Sequence, residues 1–159
     1  MTVSVPSGEG VHARLIAGLA KSKSQFDADS LANLAREMSE AGRRREDPVR
    51  EIMARLGDRW SPLILFILNT GAYRHAALRK VVAVLSSEQA ISQRMLTLRL
   101  RALERDGLVD RVVEATAPPT VTYSLTPLGA ELTAKLSTMV QWIKAHEDEI
   151  ARARSAFKA

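Results

Sequence analysis

The stretch ISQRMLTLRLRALERDGLV, residues 91–109, contains the pattern from which the fold can be predicted. Apolar residues recur in it at steps of three and four, which is the spacing of one face of an α-helix. Ser92 is a residue type that caps helix N-termini, and Asp106-Gly107 ends the pattern with a residue that tolerates a left-handed backbone. The spacing therefore predicts a helix over 92–105 that buries one apolar face.

The two faces of this predicted helix differ in chemistry. Its inner face is predicted to hold Ile91, Leu96, Leu100 and Leu103, with Met95 at the border. Its outer face is predicted to hold Gln93, Arg94, Thr97, Leu98 and Arg101. Arginine pairs bidentately with guanine and glutamine with adenine, while threonine reaches a thymine methyl or a phosphate. Ser92, beside the free backbone N–H groups of the helix start, suits a phosphate, so this surface favours contact with DNA.

Simpler interpretations of the same helix stay open. Arginines on a helix are most often solvated, and Arg99 and Arg105 are expected to be so, with Arg105 in the last turn favoured by the helix dipole. Arg94 and Arg101 are the predicted readers of DNA bases. Leu98 either contacts a thymine methyl or belongs to the core, which would mean that the helical phase is shifted.

The segments around residues 91–109 predict further helices and one β-hairpin. Asp47-Pro48 and Ser61-Pro62 each place a proline behind a capping residue, and the second pair opens the apolar run 63–68. The other predicted elements are a helix over 74–85 with Leu78, Val81, Val82 and Leu85 inward, strands over 108–113 and 121–125 around a Pro-Pro tip, and a long helix opened by Thr126-Pro127. A helix, a turn, a basic helix and a hairpin make a winged helix-turn-helix, so the predicted fold is mainly α with a small β-hairpin.

Three segments are predicted along the chain. Residues 1–46 form an N-terminal extension with a disordered start and short helices over Val11–Ala20 and Leu31–Met38, the second capped by Asp29 or Ser30. Residues 47–126 form the winged helix domain, and residues 127–159 form a C-terminal dimerisation helix. The last helix carries an apolar stripe of Leu128, Leu132, Leu136, Met139, Val140 and Ile143. This stripe either covers its own core only or, because it is so long, forms a homodimer interface.

Composition excludes several other classes of function. Lys plus Arg number 23 against 18 acidic residues, a net charge of +5 that is compatible with a polyanionic partner. The chain has no cysteine and three scattered histidines, so no metal site or other cofactor is predicted. The run 63–68 is too short to span a bilayer and no secretory signal is present, which predicts a cytoplasmic protein without membrane contact. No Ser-His-Asp spacing, carboxylate pair or cofactor loop indicates an enzyme.

Residues 47–142 resemble the HxlR family of bacterial winged-helix regulators, within the MarR-like superfamily. The segments that carry the resemblance are DPVREIMARLGDRWSPLILFIL, ALRK, ISQRML, LRALERDGLV and TYSLTPLGAEL, in this order. The resemblance implies a homodimeric transcription regulator that inserts the helix beginning at Ser92 into the major groove. Many relatives carry a cysteine just before the proline at position 48; here that residue is Asp47, so thiol sensing is not implied.

Further residues are assigned to three surfaces. Arg111 on the hairpin is expected to reach a phosphate or the minor groove, and Arg74 and Arg79 are assigned to the same DNA surface. A small-molecule effector pocket, if one exists, would involve Trp60, Tyr73 and Trp142. A two-fold dimer would match a palindromic double-stranded operator with half-sites about one DNA turn apart. The alternative function is a winged-helix module that binds another protein.

Overall fold

The computed structural model describes residues 13–14, 17–18, 27–40, 47–86 and 90–157. The chain divides into two compact units, Met1–Ala54 and Arg55–Ala159. The predicted segment boundaries after residues 46 and 126 stay predictions.

The first unit contains the helix α1 (Ala28–Glu40) and most of α2 (Pro48–Leu56). The cap of α1 is Asp27, not Asp29 or Ser30, because its carboxylate accepts the Asp29 N–H at 3.1 Å and the Ser30 hydroxyl at 2.5 Å. The hydroxyl of Ser30 is the main reason why the pKa of Asp27 is lowered. Residues 13, 14, 17 and 18 are helical, and the rest of the predicted helix Val11–Ala20 lies outside the described residues.

The second unit consists of five helices and three short strands in the part of it that the structure describes. In chain order these are α3 (Ser61–Leu68), β1 (Tyr73–Arg74), α4 (His75–Leu85), α5 (Gln93–Arg105), β2 (Val109–Glu114), β3 (Thr120–Leu125), α6 (Pro127–Ala145) and α7 (Glu147–Ala156). The predicted fold class, mainly α with a small β-hairpin, is confirmed. None of the described helices is both long enough and apolar enough to cross a membrane.

Leucine-rich faces of three helices form the core of this unit. Side chains with no exposed surface are Ile64 and Leu65 of α3, Leu78 and Val82 of α4, and Leu96, Leu100 and Leu103 of α5. Ile91, just before α5, is 2% exposed. The predicted inner face of the helix over 92–105 is therefore confirmed, whereas Leu85 of α4, predicted to face inward, is 59% exposed.

The sheet has a third strand that the sequence did not predict. β2 and β3 form the predicted antiparallel hairpin, with Arg111 opposite Tyr123. β1 pairs with the other edge of β3, and Tyr73 lies opposite Tyr123. Arg74 was expected in the helix over 74–85; it lies instead on β1, in an extended conformation directly before α4.

The turn before α3 is organised by Asp58, not by the predicted cap Ser61. The carboxylate of Asp58 accepts the backbone N–H groups of Trp60 and Ser61 at 2.7 and 2.8 Å, and the Ser61 hydroxyl at 2.5 Å. Ser61 is the first residue of α3 and is 1% exposed. Asp58 therefore satisfies the first backbone donors of the most buried helix.

The predicted single C-terminal helix is two helices, α6 and α7, separated at His146. His146 lies outside helical geometry, with φ −111° and ψ 14°. Its ring stacks on Trp142 with centroids 4.4 Å apart, and its Nδ1 donates to the Trp142 carbonyl at 2.8 Å. The C-terminal segment is therefore not one continuous helix.

Candidate nucleic-acid interface

Both ends of α5 are fixed by local hydrogen bonds. At its start, the Ser92 hydroxyl accepts the Met95 N–H at 3.1 Å, as the sequence predicted for a cap. At its end, Gly107 has a φ of +72°, and the N–H groups of Gly107 and Leu108 bond the carbonyls of Glu104 and Leu103 at 3.0 and 2.9 Å. This left-handed ending is the one that glycine favours, so the helix begins and stops where the sequence indicates.

The face of α5 opposite the core presents two arginines with a leucine between them. Arg94, Leu98 and Arg101 follow one another at steps of four and three, so they form one stripe, and all three are exposed. Leu98 is 51% exposed. The interpretation that placed Leu98 in the core is therefore wrong, and an apolar side chain lies between two cations on the predicted DNA face.

One flank of α5 is joined to α4 through Thr97 and His75. His75 Nε2 lies 3.1 Å from the Thr97 hydroxyl, which itself donates to the Gln93 carbonyl at 2.9 Å. Since the single hydroxyl proton is used in that bond, His75 Nε2 must carry the proton that it shares with Thr97. Burial, and secondarily the charge of Arg79, lower the pKa of His75. His75 thus joins the two helices in its neutral form near pH 7.

On the other flank of α5, two ion pairs reach the end of α2 and the turn that follows it. Arg99 Nη1 lies 3.5 Å from the Asp58 carboxylate, and Arg55 Nε bonds the Asp106 carboxylate. Within the described residues Arg99 Nε is buried and has no hydrogen-bond partner. Arg99 was predicted to be solvated; its Nε is instead buried, and its guanidinium lies beside Asp58. Arg105, also predicted to be solvated, is 60% exposed and pairs with Asp106 at 3.2 Å.

Basic side chains surround a groove of about 330 Å³ between α4 and the start of α5. His75, Arg79, Lys80 and Gln93 line it together with three alanines. Arg79 and Gln93, both assigned to DNA from the sequence, therefore lie at one groove. Arg74 is exposed on β1, next to His75 in the chain.

The hairpin of β2 and β3 projects an exposed strand. Arg111, Val112 and Val113 of β2 are all exposed, the two valines at 53% and 50%. Arg111 lies on the strand itself, opposite Tyr123, so its position is set by the pairing of β2 with β3. A solvated strand with a cation is the feature expected of a wing that approaches a DNA backbone.

The three aromatic residues predicted to line an effector pocket have separate partners. The Arg59 guanidinium lies 5.6 Å from the Trp60 ring centre, and Tyr73 Oη lies 2.6 Å from the Thr70 hydroxyl. Trp142 stacks on His146 and is 59% exposed. The ring contacts join each of the three to a different partner, and an effector pocket formed by them stays a prediction.

The apolar stripe of α6 is mostly exposed. Leu128, Met139 and Ile143 are 56%, 52% and 45% exposed, and Leu132 and Val140 are half-buried. Leu136 is 5% exposed and belongs to the core of its own unit, so its assignment to a dimer surface is not supported. Trp142 adds an aromatic side chain to the exposed surface.

The lowered pKa of His75 leads to a prediction about stability. Because the pKa of His75 is lowered in the folded state, the unfolded chain becomes protonated at His75 near the ordinary value of 6.5, while the folded chain becomes protonated only at lower pH. The stabilising contribution is therefore complete above 6.5 and is lost as the pH falls through the lower folded-state pKa. We expect the free energy of unfolding, followed in urea by tryptophan emission, to fall more steeply with decreasing pH in the wild type than in His75→Gln. Equal slopes for wild type and His75→Gln would contradict the prediction.

Comparison with known proteins identifies relatives of this arrangement. The family model described as HxlR-like helix-turn-helix matches residues 55–151. The HTH-type transcriptional regulator YtfH of Escherichia coli K12 is 36% identical over 107 residues, 67% of this chain and 80% of that protein. The structure of the transcriptional regulator ytfH from Salmonella typhimurium has a TM-score of 0.58 at 34% identity, covering 70% of this chain and 95% of that one. The reduced form of the regulator YodB from B. subtilis has a TM-score of 0.52 at 34% identity, covering 60% and 89%.

Proposed function

The chain belongs to the HxlR-like helix-turn-helix family of transcriptional regulators, and from that premise we propose that it binds a palindromic DNA operator as a homodimer. It is a regulator of transcription, not an enzyme. In this proposal α5 of each protomer enters the major groove, and the hairpin of β2 and β3 lies on the backbone or the minor groove. Since the chain contains no cysteine, it has no thiol through which an oxidant could control it.

The observation that carries the proposal is the division of α5 into two opposite faces. Leu96, Leu100 and Leu103 have no exposed surface, while Arg94, Leu98 and Arg101 on the far side are all exposed. The major groove is about 12 Å wide and accepts one helix, so only such an outward face can reach the bases. In the proposal the two arginines read guanines and Leu98 contacts a thymine methyl between them.

Backbone contacts would come from residues around α5. Arg79 lies at the basic groove beside its start, while Arg74 and Arg111 are exposed on the sheet. Such contacts fix the orientation of a protein on the duplex without reading its sequence. They should therefore contribute equally to binding of any DNA.

The proposed dimer would form through the exposed stripe of α6. Leu128, Met139, Trp142 and Ile143 are each at least 45% exposed in the isolated chain, and large apolar side chains at helical spacing indicate a protein interface. A two-fold axis through this helix would present two copies of α5 to successive half-sites.

A single charge in the stripe should weaken the dimer. Met139→Glu is expected to raise the dimer dissociation constant by about tenfold or more, because a carboxylate would be desolvated against the partner on both sides of the axis. Sedimentation equilibrium measures this constant. Gln141→Glu adds the same charge at an exposed position outside the stripe and should leave the constant unchanged. A monomeric wild type, or equal constants for wild type and Met139→Glu, would reject this interface.

Selection from a random duplex pool tests the function as a whole. The chain should enrich a two-fold symmetric sequence, and fluorescence anisotropy should then show tighter binding to that duplex than to a scrambled one of equal composition. Affinity for both should fall as salt rises, because phosphate contacts release counterions. Enrichment of no sequence would reject sequence-specific regulation. If DNA affinity were also independent of salt, the protein-binding alternative would be favoured.

A further inference from the structure

The two ion pairs on the flank of α5 have opposite polarity. Arg99 of α5 supplies a cation and Asp106, the residue directly after the helix, supplies an anion about two turns farther along the same side. The reverse charges come from Arg55 at the end of α2 and Asp58 in the turn before α3, which are also joined by the Asp58 N–H to Arg55 carbonyl bond at 3.1 Å. A helix held at two separated points cannot rotate or slide without breaking one of the pairs.

Asp58 connects this flank to the most buried part of the unit. Its carboxylate holds the first backbone N–H groups of α3, whose residues Ile64 and Leu65 have no exposed surface. The side chain of Asp58 is 14% exposed and that of Asp106 is 11% exposed, so solvent screens these pairs less than surface pairs. Asp58 therefore connects α5 to the buried helix α3.

The half-buried position of Arg99 separates it from the exposed stripe that faces DNA in the proposal. Its Nε is buried, its guanidinium lies beside Asp58, and the side chain is 32% exposed. On a helical wheel of about 100° per residue, Arg99 and Asp106 lie on one flank of α5, and Thr97, bonded to His75, lies on the other. The exposed stripe of Arg94, Leu98 and Arg101 lies between the two braced flanks.

We infer that Asp58, Arg99, Arg55 and Asp106 form a charge clamp that positions α5 and so determines how well the protein distinguishes its operator from other DNA. This role rests on the proposed function. Bidentate contacts to bases require accurate placement of the helix, whereas attraction to phosphates does not depend on sequence. Loosening the clamp should therefore reduce specific binding and leave non-specific binding intact.

The variant Asp58→Asn separates this role from simple electrostatics. It retains an oxygen that can cap α3, because asparagine is a good capping residue, and it removes the charge that holds Arg99. Loss of one negative charge near the DNA face should by itself tighten binding to every duplex. The clamp predicts the opposite for the selected duplex: about tenfold weaker binding, comparable to the loss of one base contact, with scrambled DNA bound equally well or more tightly.

The experiment is anisotropy with the selected and the scrambled duplex, for wild type, Asp58→Asn and Asp106→Asn. Asp106→Asn neutralises the other anion of the clamp and should act in the same direction, which keeps the test valid if Asp58→Asn does not fold. Ser61→Ala removes the hydroxyl that donates to the Asp58 carboxylate and leaves all four charges of the clamp in place, so it should keep the wild-type ratio of affinities. A purely structural role would lower the unfolding temperature and leave that ratio unchanged.

The outcomes distinguish the clamp from the function on which it rests. A wild type that binds both duplexes equally would overturn the proposed function and the clamp with it. A wild type that discriminates, together with folded Asp58→Asn and Asp106→Asn chains that discriminate equally well, would overturn the clamp alone. A lower ratio in the folded variants, with Ser61→Ala unchanged, is the expected result.

Discussion

The double variant Arg94→Ala/Arg101→Ala is expected to lose about 2–6 kcal/mol of binding free energy for the selected duplex, since each bidentate contact to a base contributes about 1–3 kcal/mol. Both side chains are exposed on the outer face of α5, so the folded state should be little affected. Discrimination between bases should be lost only at the base pairs that the two arginines contact. Each single variant should bind with less discrimination at one position of each half-site.

The measurement is anisotropy against the selected duplex and a set of its single-base substitutions. Arg152→Ala, which removes the same charge as each single variant from an exposed site on α7, is the matched control for those variants and should bind like the wild type. If the two arginines touched only phosphates, affinity would fall equally for every sequence and the salt slope would decrease by about one per contact. That outcome would refute their role as base readers.

Gly129→Ala is expected to destabilise the second unit by about 3 kcal/mol or more, at the upper end of what overpacking costs. A Cβ at this position would lie 2.0 Å from the carbonyl oxygen of Leu108, a backbone atom that cannot move aside as a flexible side chain can. The same oxygen accepts the Thr126 N–H at 3.2 Å. Relief of the clash would therefore separate α6 from the end of α5.

Urea unfolding followed by tryptophan emission tests this prediction, because both tryptophans, Trp60 and Trp142, lie in the second unit. Ala130→Leu adds a larger side chain at the next, exposed position and should change the unfolding free energy by only about 0.5 kcal/mol or less. All chains should be compared at one protein concentration, since dimerisation adds to apparent stability. A Gly129→Ala chain as stable as the wild type would show that the close approach is not required.

Local patterns in the sequence were sufficient to predict α5. Its core leucines, its Ser92 cap and its Gly107 ending each depend on residues within a few positions, and all three predictions are confirmed. β1 could not be predicted, because a two-residue strand is defined by its pairing with Tyr123 and Thr122, far away in the sequence. Local capping signals were also ambiguous where several polar residues precede a helix, as Asp58 and Ser61 show.

Partners of side chains were the least predictable part of the site. The sequence shows that Arg99 is a cation on a helix, but its pairing with Asp58 follows only from the packing of α5 against the turn before α3. The partners of the apolar stripe of α6 were equally hard to predict, because residues at the same helical spacing include both Leu136, which is in the core, and Met139, which is exposed. The signal for Asp58 was its place three residues before the start of an apolar helix.

Thr126 joins the end of α5 to the start of α6. Its hydroxyl accepts the Gly129 N–H at 2.9 Å and donates to the Gly107 carbonyl at 2.7 Å. In the proposed dimer this connection would make α5 move together with the α6 helix of the same protomer. A small change in the angle at which the two α6 helices cross would become a change in the distance between the two copies of α5. Operators with half-sites closer together or farther apart would then select different crossing angles, and a molecule that altered the crossing would release the DNA without touching it.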